Sequence, residues 1–468
     1  MNTGRLSCVL LTVALAACAG LPPESKPAAL PAAAPLDDLI SDSGTWPARD
    51  WWKQYRDPTL DQLVDLALAS SPTLATAHAR LDTARQSVRA AGAAAGAHVE
   101  AEGDASRQRL SDNGLFPPRL LGFYAYNQFD LGLQASYTFD WWGKQRDAVE
   151  AAMDEAHAAQ ADRTAAALVL ESSVADTYFG WQADQSRLAL AREREDTIRR
   201  EARIAAARIG ADLDAADEIH RSDANLAAAR ELVAGLEGSA KLRWVALAAL
   251  VGRAPAELPT LVAKPLPAIG PGLPEGVKLD LMARRADLTA SRWRVQAAEK
   301  SRDEARAEFY PDISINALAG LQSIDAGRLL EYASRVPTVS AAVHLPIFDA
   351  GRLKARYGGA QAAIDAAVAA YQDTLVGAAR DVATQAASRA QIVAERVQRR
   401  MAVAAADQLR AGAAARVRQG VTDPRSELAA TETWIEQRDA LLQLDAAALS
   451  ADIGLKRALG GGYDTKSD

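Results

Sequence analysis

Apolar and polar residues alternate from Asp130 to Phe139. Leu131, Leu133, Ala135, Tyr137 and Phe139 fall on one side, and Gln134, Ser136 and Thr138 on the other. A period of two predicts a strand with one apolar face. After FDWWGK (139–144) the pattern turns to a period near 3.6 and stays free of proline, which predicts a helix. The same switch recurs at FDAGR (348–352). There Ile313, Ile315, Ala317, Ala319 and Leu321 share one face of a strand. Val339, Ala341, Val343, Leu345 and Ile347 share one face of its return partner.

The recurrence extends along the chain. Phe139-Asp140 returns as Phe348-Asp349, 209 residues later; VADTYF at Val174 returns as VATQAA at Val382, 208 later; and Gly210 returns as Gly420, 210 later. A nearly constant offset marks two internal repeats. Each predicts helix, strand, loop, strand, very long helix, tight turn, helix. In the first repeat (51–256) these are a helix over 59–95, strands over 97–110 and 128–140, and helices over 143–209 and 213–250. In the second (278–460) they are a helix over 278–309, strands over 311–323 and 336–348, and helices over 351–418 and 424–459. The intervening residues 257–277 carry five prolines and predict an extended linker, and 461–468 form a short tail. No proline interrupts the chain between Pro118 and Pro255 or between Pro346 and Pro424. Each long helix would therefore run roughly 100 Å and needs neighbours coiled against it.

Strands of this length and alternation suit a tilted transmembrane β-strand. Four strands cannot close a barrel, and open edges are not tolerated in lipid. Three copies would supply 12 strands, so the pattern predicts a trimeric barrel. Trp141 and Trp142 fit the aromatic belt where a strand leaves the bilayer, and Gly143 permits the sharp turn into helix. The fold class expected is mainly α with a membrane β-barrel part: four strands per chain in a trimeric 12-stranded barrel, continued by a long α-helical barrel.

Composition agrees with this picture. Alanine is heavily used, aromatics are 6%, and charged residues of both signs are 24%, as in long helices packed through small side chains. The net charge of −7 comes without a basic run, which argues against a nucleic-acid partner. At the N-terminus, Arg5 and the short apolar run Leu6–Ala17 read as a signal peptide (1–17). It ends in LAAC (15–18), the pattern of a lipobox, with Cys18 as the acylated residue. The chain's only cysteines are Cys8 and Cys18, so the mature protein would hold no disulfide. Residues 18–50 then form a lipidated tether; Ala19, rather than aspartate, follows the cysteine, which in lipoproteins resembling this one favours sorting to the outer membrane.

Enzyme signatures such as G-x-S-x-G, a P-loop or H-E-x-x-H do not occur, and the five histidines lack ligand spacing. We therefore expect no enzymatic activity, cofactor or metal.

The motifs resemble those of the TolC-like outer-membrane efflux proteins, in particular their NodT-type lipoprotein branch. WWKQYRDPTLDQLVDLALASSPTL (51–74) resembles the family's opening. FDWWGK and LPIFDAGR resemble its strand-to-helix junctions, RIGADLDAADEIH and RQGVTDPRSE its two hairpin tips, and KRALGGGY its close. The resemblance implies a passive trimeric duct that extends from the outer membrane into the periplasm. It would dock to a periplasmic adaptor and an inner-membrane pump of the RND class. At the tips, Arg208, Gly210, Asp212, Arg418, Gly420 and Thr422 are the candidate adaptor contacts. Asp214, Asp217, Glu218, Asp423, Arg425 and Ala429 are the candidate gate residues. Two departures stand out: Ser71 replaces the usual asparagine before Pro72, and Ala286 replaces the proline of an R-P-D motif. Two other readings share these features: the exit duct of a type I protein secretion system, and a non-channel periplasmic coiled-coil adaptor.

Overall fold

The computed structural model describes residues 44–274 and 283–463. Cys18, the signal peptide and most of the tether lie outside the described residues. Along the chain run α1 (Pro58–Ser70), α2 (Pro72–Ala94), β1 (His98–Arg109), β2 (Ala125–Phe139), α3 (Lys144–Ile209), α4 (Glu218–Val251), α5 (Ala286–Ala307), β3 (Asp312–Ser323), β4 (Arg335–His344), α6 (Arg352–Arg418) and α7 (Arg425–Ala458). The fold is mainly helical with one four-stranded antiparallel sheet in the order β1-β2-β3-β4.

Several boundaries differ from those expected; β2 begins at Ala125 rather than 128 and α5 at Ala286 rather than 278. The helix over 59–95 is two helices, because Ser71 is extended (ψ 127) ahead of Pro72. A residue before proline avoids the helical region, and the Ser71 N–H still closes α1 on Ala67 O. Strand β4 stops at His344, so Leu345 and Ile347 lie beyond the ladder. Helix α4 starts at Glu218 rather than 213, because the first tip uses a longer turn.

The chain forms two compact units, each drawing on both repeats. Among the described residues, one comprises Leu81–Ala159 and Ser291–Tyr371. The other comprises the stretch up to Arg80, Gln160–Ala290 and the residues from Gln372 onward. The first holds the sheet. The second holds a conventional core in which Trp51, Trp52, Tyr55, Leu60, Leu63, Val64 and Ala67 pack on Val174, Tyr178, Phe179, Leu247, Leu449 and Ile453.

Most polar groups drawn into this core are paired, which offsets lost hydration, while the buried Trp52 Nε1 has no hydrogen-bond partner. Asp57 caps α1 through the Thr59 N–H and receives Lys264 Nζ and the Tyr178 hydroxyl, each at 2.7 Å. Burial works against the charge, yet these three donors hold its pKa below the ordinary value. Lys264 belongs to the proline-rich segment, whose Leu258, Leu261, Leu266 and Ile269 pack onto the same core. At the C-terminal end, Gly460, Gly461 and Gly462 all have positive φ, and a Cβ on any of them would collide with Arg284, Leu168 or Ala48. That close approach explains the GGG of the closing motif.

Candidate functional site: a two-faced sheet and an ion-paired tip

Register determines what the sheet can do. Leu133 sits opposite Ala101 on β1 and Ala319 on β3, while Ala317 sits opposite Val339 on β4. Paired residues share a face, so the expected apolar sides of β2, β3 and β4 coincide, and Val99, Ala101 and Ala105 extend that face across β1. Nothing among the described residues covers it: Val99, Leu133, Val339 and Val343 are all more than half exposed. The opposite face carries Glu100, Glu102, Asp104, Gln134, Ser136, Thr138, Asn316 and Ser340. Leu318, Val336 and Ala342 are apolar on this face, and Gly132 and Gly320 make room for Leu318. Apolar outside and polar inside is the arrangement of a barrel in lipid around a wet lumen. The outer edges of β1 and β4 have no partner strand among the described residues.

At the end of the sheet where the helices begin, both repeats use the same device. Asp140 accepts from the Gln145 and Arg146 N–H groups, and Asp349 from those of Gly351 and Leu353. Each aspartate of the FD motif thus supplies acceptors to orphan donors of a 66- or 67-residue helix. Sequence reasoning used FD as a repeat marker and missed this role. The left-handed residues in these turns are Gly143 (φ 79) in the first, and Ala350 and Gly351 in the second. Trp142 stacks on Tyr310 at 4.6 Å and donates to Pro311 O at 2.9 Å, while Trp141 is 65% exposed beside Phe139. Ile347 and Phe348 supply exposed apolar surface at the second junction.

At the tips, α3 and α4 are joined by residues 210–217, and α6 and α7 by residues 419–424. Arg208 grips Asp214 with two hydrogen bonds, of 2.8 and 3.0 Å. Arg425 binds Asp423 at 3.2 Å. The two hairpins are then cross-linked: Arg425 lies 3.6 Å from Asp214 and Arg208 lies 3.7 Å from Asp423. Two arginines and two aspartates, one of each per hairpin, close a ring. The Arg208 contact holds the Asp214 pKa below the ordinary carboxylate value and raises that of Arg208 itself. The Arg425 backbone N–H, then its side chain, lowers that of Asp423.

The ring joins three of the expected gate residues, Asp214, Asp423 and Arg425, with one expected adaptor contact, Arg208. Arg208, expected as an adaptor contact, is committed to Asp214. Asp217 precedes α4 without a side-chain cap, and Glu218 pairs with Arg221. Asp212 occupies a left-handed conformation (φ 57), as does Gly420 (φ 72), whereas Gly210 does not. Thr422 accepts a hydrogen bond from Ser426, and Arg418 and Ala429 are exposed. Sequence reasoning passed over Leu213 and Val421, 64% and 67% exposed, one at each tip. Their signal was an apolar residue recurring inside an otherwise polar turn.

Comparison with known proteins gives this geometry a context. The family model for outer membrane efflux proteins matches residues 63–253 and 280–461. The multidrug resistance outer membrane protein MdtP of Escherichia coli (strain K12) is 33% identical over 437 residues, covering 91% of this chain and 89% of that protein. The fusaric acid resistance protein FusA of Burkholderia cepacia is 34% identical over 375 residues, covering 77% of this chain and 70% of that protein. The crystal structure of the outer membrane protein VceC from Vibrio cholerae superposes with a TM-score of 0.80 at 31% identity, covering 90% of this chain and all of that one. The chain belongs to the outer membrane efflux protein family, and it is an outer-membrane efflux channel.

Proposed function

We propose that the chain acts as a homotrimeric, passive exit duct in a tripartite efflux system for small toxic compounds, driven by an inner-membrane pump of the RND class through a periplasmic adaptor. The observation that carries this reading is the two-faced sheet with unpaired edges: only closure with other copies satisfies those edges in lipid. Relatives named for multidrug and fusaric acid resistance support a toxic small-molecule cargo. The polar sheet face would line the duct, and Leu213 and Val421, with Arg418, Gly420 and Asp212 beside them, would meet the adaptor. The ring of Arg208, Asp214, Asp423 and Arg425 would hold the periplasmic mouth narrow.

Lipid on Cys18 would anchor the tether in the outer membrane, since more than one acyl chain gives firm attachment. Labelled palmitate is expected in the wild type and absent from Cys18→Ser. For the duct itself, the full-length protein purified in detergent should run as a trimer and give discrete conductance steps in planar bilayers. A monomer that retains its β-structure yet conducts nothing would overturn the reading.

A further inference from the structure

The apolar face of the sheet ends unequally. At the helix end it finishes in aromatics, and Lys144 is engaged with Asp312 at 3.3 Å. At the loop end it finishes in arginines. Odd-numbered residues of β1 lie on the apolar face, since Val99, Ala101 and Ala105 oppose Ala135, Leu133 and Phe129; the same parity places Arg107 and Arg109 there. Across the sheet, Arg335 opposes Leu321 on that face, in the last pair of the β3–β4 ladder. All three are exposed. Among the described residues none of the three has a carboxylate within ion-pairing distance, and Arg335 lies over the Tyr332 ring at 4.3 Å. The apolar band on β2 runs from Phe129 to Phe139. Its ten residue steps, tilted as in a barrel, span about 25 Å, so Arg107, opposite Asn127, falls just past the edge of the band, and Arg335, level with Leu131 through Leu321, lies just inside it.

We propose that Arg107, Arg109 and Arg335 form a binding site for the phosphate-bearing headgroups of lipid in the outer leaflet. A guanidinium at the margin of a hydrocarbon-facing surface reaches toward the headgroups. Phosphate is the group it pairs with best there, through two parallel hydrogen bonds. The arginines sit on the two edge strands, so closure with further copies sets Arg335 of one chain on the strand beside Arg107 and Arg109 of the next. The Tyr332 ring under Arg335 suits the same depth, one face apolar and its hydroxyl wet. The proposal rests on the channel reading in two respects, that the apolar face is the lipid-facing one and that copies close edge to edge.

The test uses delipidated full-length protein in detergent, titrated with diphosphoryl lipid A and followed by native mass spectrometry. The wild type should bind this lipid at least about tenfold more tightly than the triple variant R107Q/R109Q/R335Q, while R107K/R109K/R335K, which keeps the charge but not the paired hydrogen bonds, should fall between the two. Wild type offered the same lipid stripped of its phosphates should bind as weakly as the glutamine variant, a comparison that needs no variant to fold. Equal binding of phosphorylated and stripped lipid by the wild type, or of lipid A by the wild type and an intact glutamine variant, would overturn the proposal. Failure of the channel reading would show separately, as wild-type protein that neither forms a trimer nor conducts.

Discussion

The two compact units use the hydrophobic effect in opposite senses. In the helical unit Leu60, Leu63, Val64 and Val174 are completely buried and polar partners such as Asp57 and Lys264 are drawn inward to meet one another. In the sheet unit Leu133, Val339 and Val343 lie uncovered on the outside, while Glu100, Asp104 and Gln134 share the inner face. An apolar residue signals a core in the first unit and a lipid boundary in the second. The difference lies in what each surface meets, water or hydrocarbon. An exposed valine is therefore as constrained as a buried one, provided it stands on the correct side of the sheet.

Adjacent residues on β4 test this with the largest expected effect. Val339→Arg places a charge on the lipid face near the middle of the β3–β4 ladder, which costs about 2–4 kcal/mol per chain near a bilayer midplane. Repeated in three chains, it should remove heat-resistant trimer from outer-membrane fractions. Thr338→Arg, one residue away and facing inward, should leave the trimer intact and change its conductance or ion preference. Equal loss of trimer in both variants would break the assignment of faces.

In the helical unit the corresponding test is Leu60→Ala, which opens a cavity in a core that has no lipid to fill it. It should lower stability by about 2–5 kcal/mol, seen as a fall in the thermal midpoint with the β-signal retained. A smaller effect is expected from Glu171. Burial raises its pKa to about 7, against the lowering effect of the Trp51 N–H, which donates at 3.2 Å. The folded carboxyl then takes its proton before the unfolded one. That proton contributes fully at pH values below the ordinary carboxylate range and is lost as pH rises through 7. Wild type should lose up to about 3 kcal/mol over that interval relative to Glu171→Gln. Parallel pH profiles would show that the carboxyl titrates normally.

Local patterns made much of this legible from sequence. Alternation in Leu131–Phe139 and Ile313–Leu321 is read directly because each side chain reports its own face, and proline-free runs bounded α3 and α6 closely. Signals that depend on distant partners were not legible. Nothing near Lys264 announces that it reaches Asp57, 207 residues away. The buried Asp452, bonded by the Tyr55 hydroxyl at 2.8 Å, looks in sequence like one more helix-surface acid. Pro72 did carry a local signal for the break at Ser71, but the helical period on both sides outweighed it. At the tips the charges were legible and their pairing only in part. The bidentate grip of Arg208 on Asp214, closed around the left-handed residue Asp212, joins two residues that the sequence placed in different roles.

That ring supplies the smallest effect on stability and the most direct test of function. Its members are solvent-accessible, so removing one charge should barely move the thermal midpoint. The geometry nevertheless ties α3–α4 to α6–α7 at two crossing points, Arg425–Asp214 and Arg208–Asp423. If those ties hold the mouth narrow, Arg425→Ala should raise single-channel conductance. Asp214→Ala should do the same, and the double variant should conduct no more than the better of the two, since both act on one link. High salt screens exposed pairs, so the ratio of variant to wild-type conductance should shrink as ionic strength rises. The Asp214 and Asp423 pKa values are lowered. Their contribution is therefore present above the ordinary carboxylate range and lost only as pH falls through the lowered values, so acid should open the wild-type mouth later than it would an unpaired carboxylate gate. An intact trimer with unchanged conductance in both single variants would reduce these four residues to helix-end pairs, and the constriction would have to be sought elsewhere along the helices.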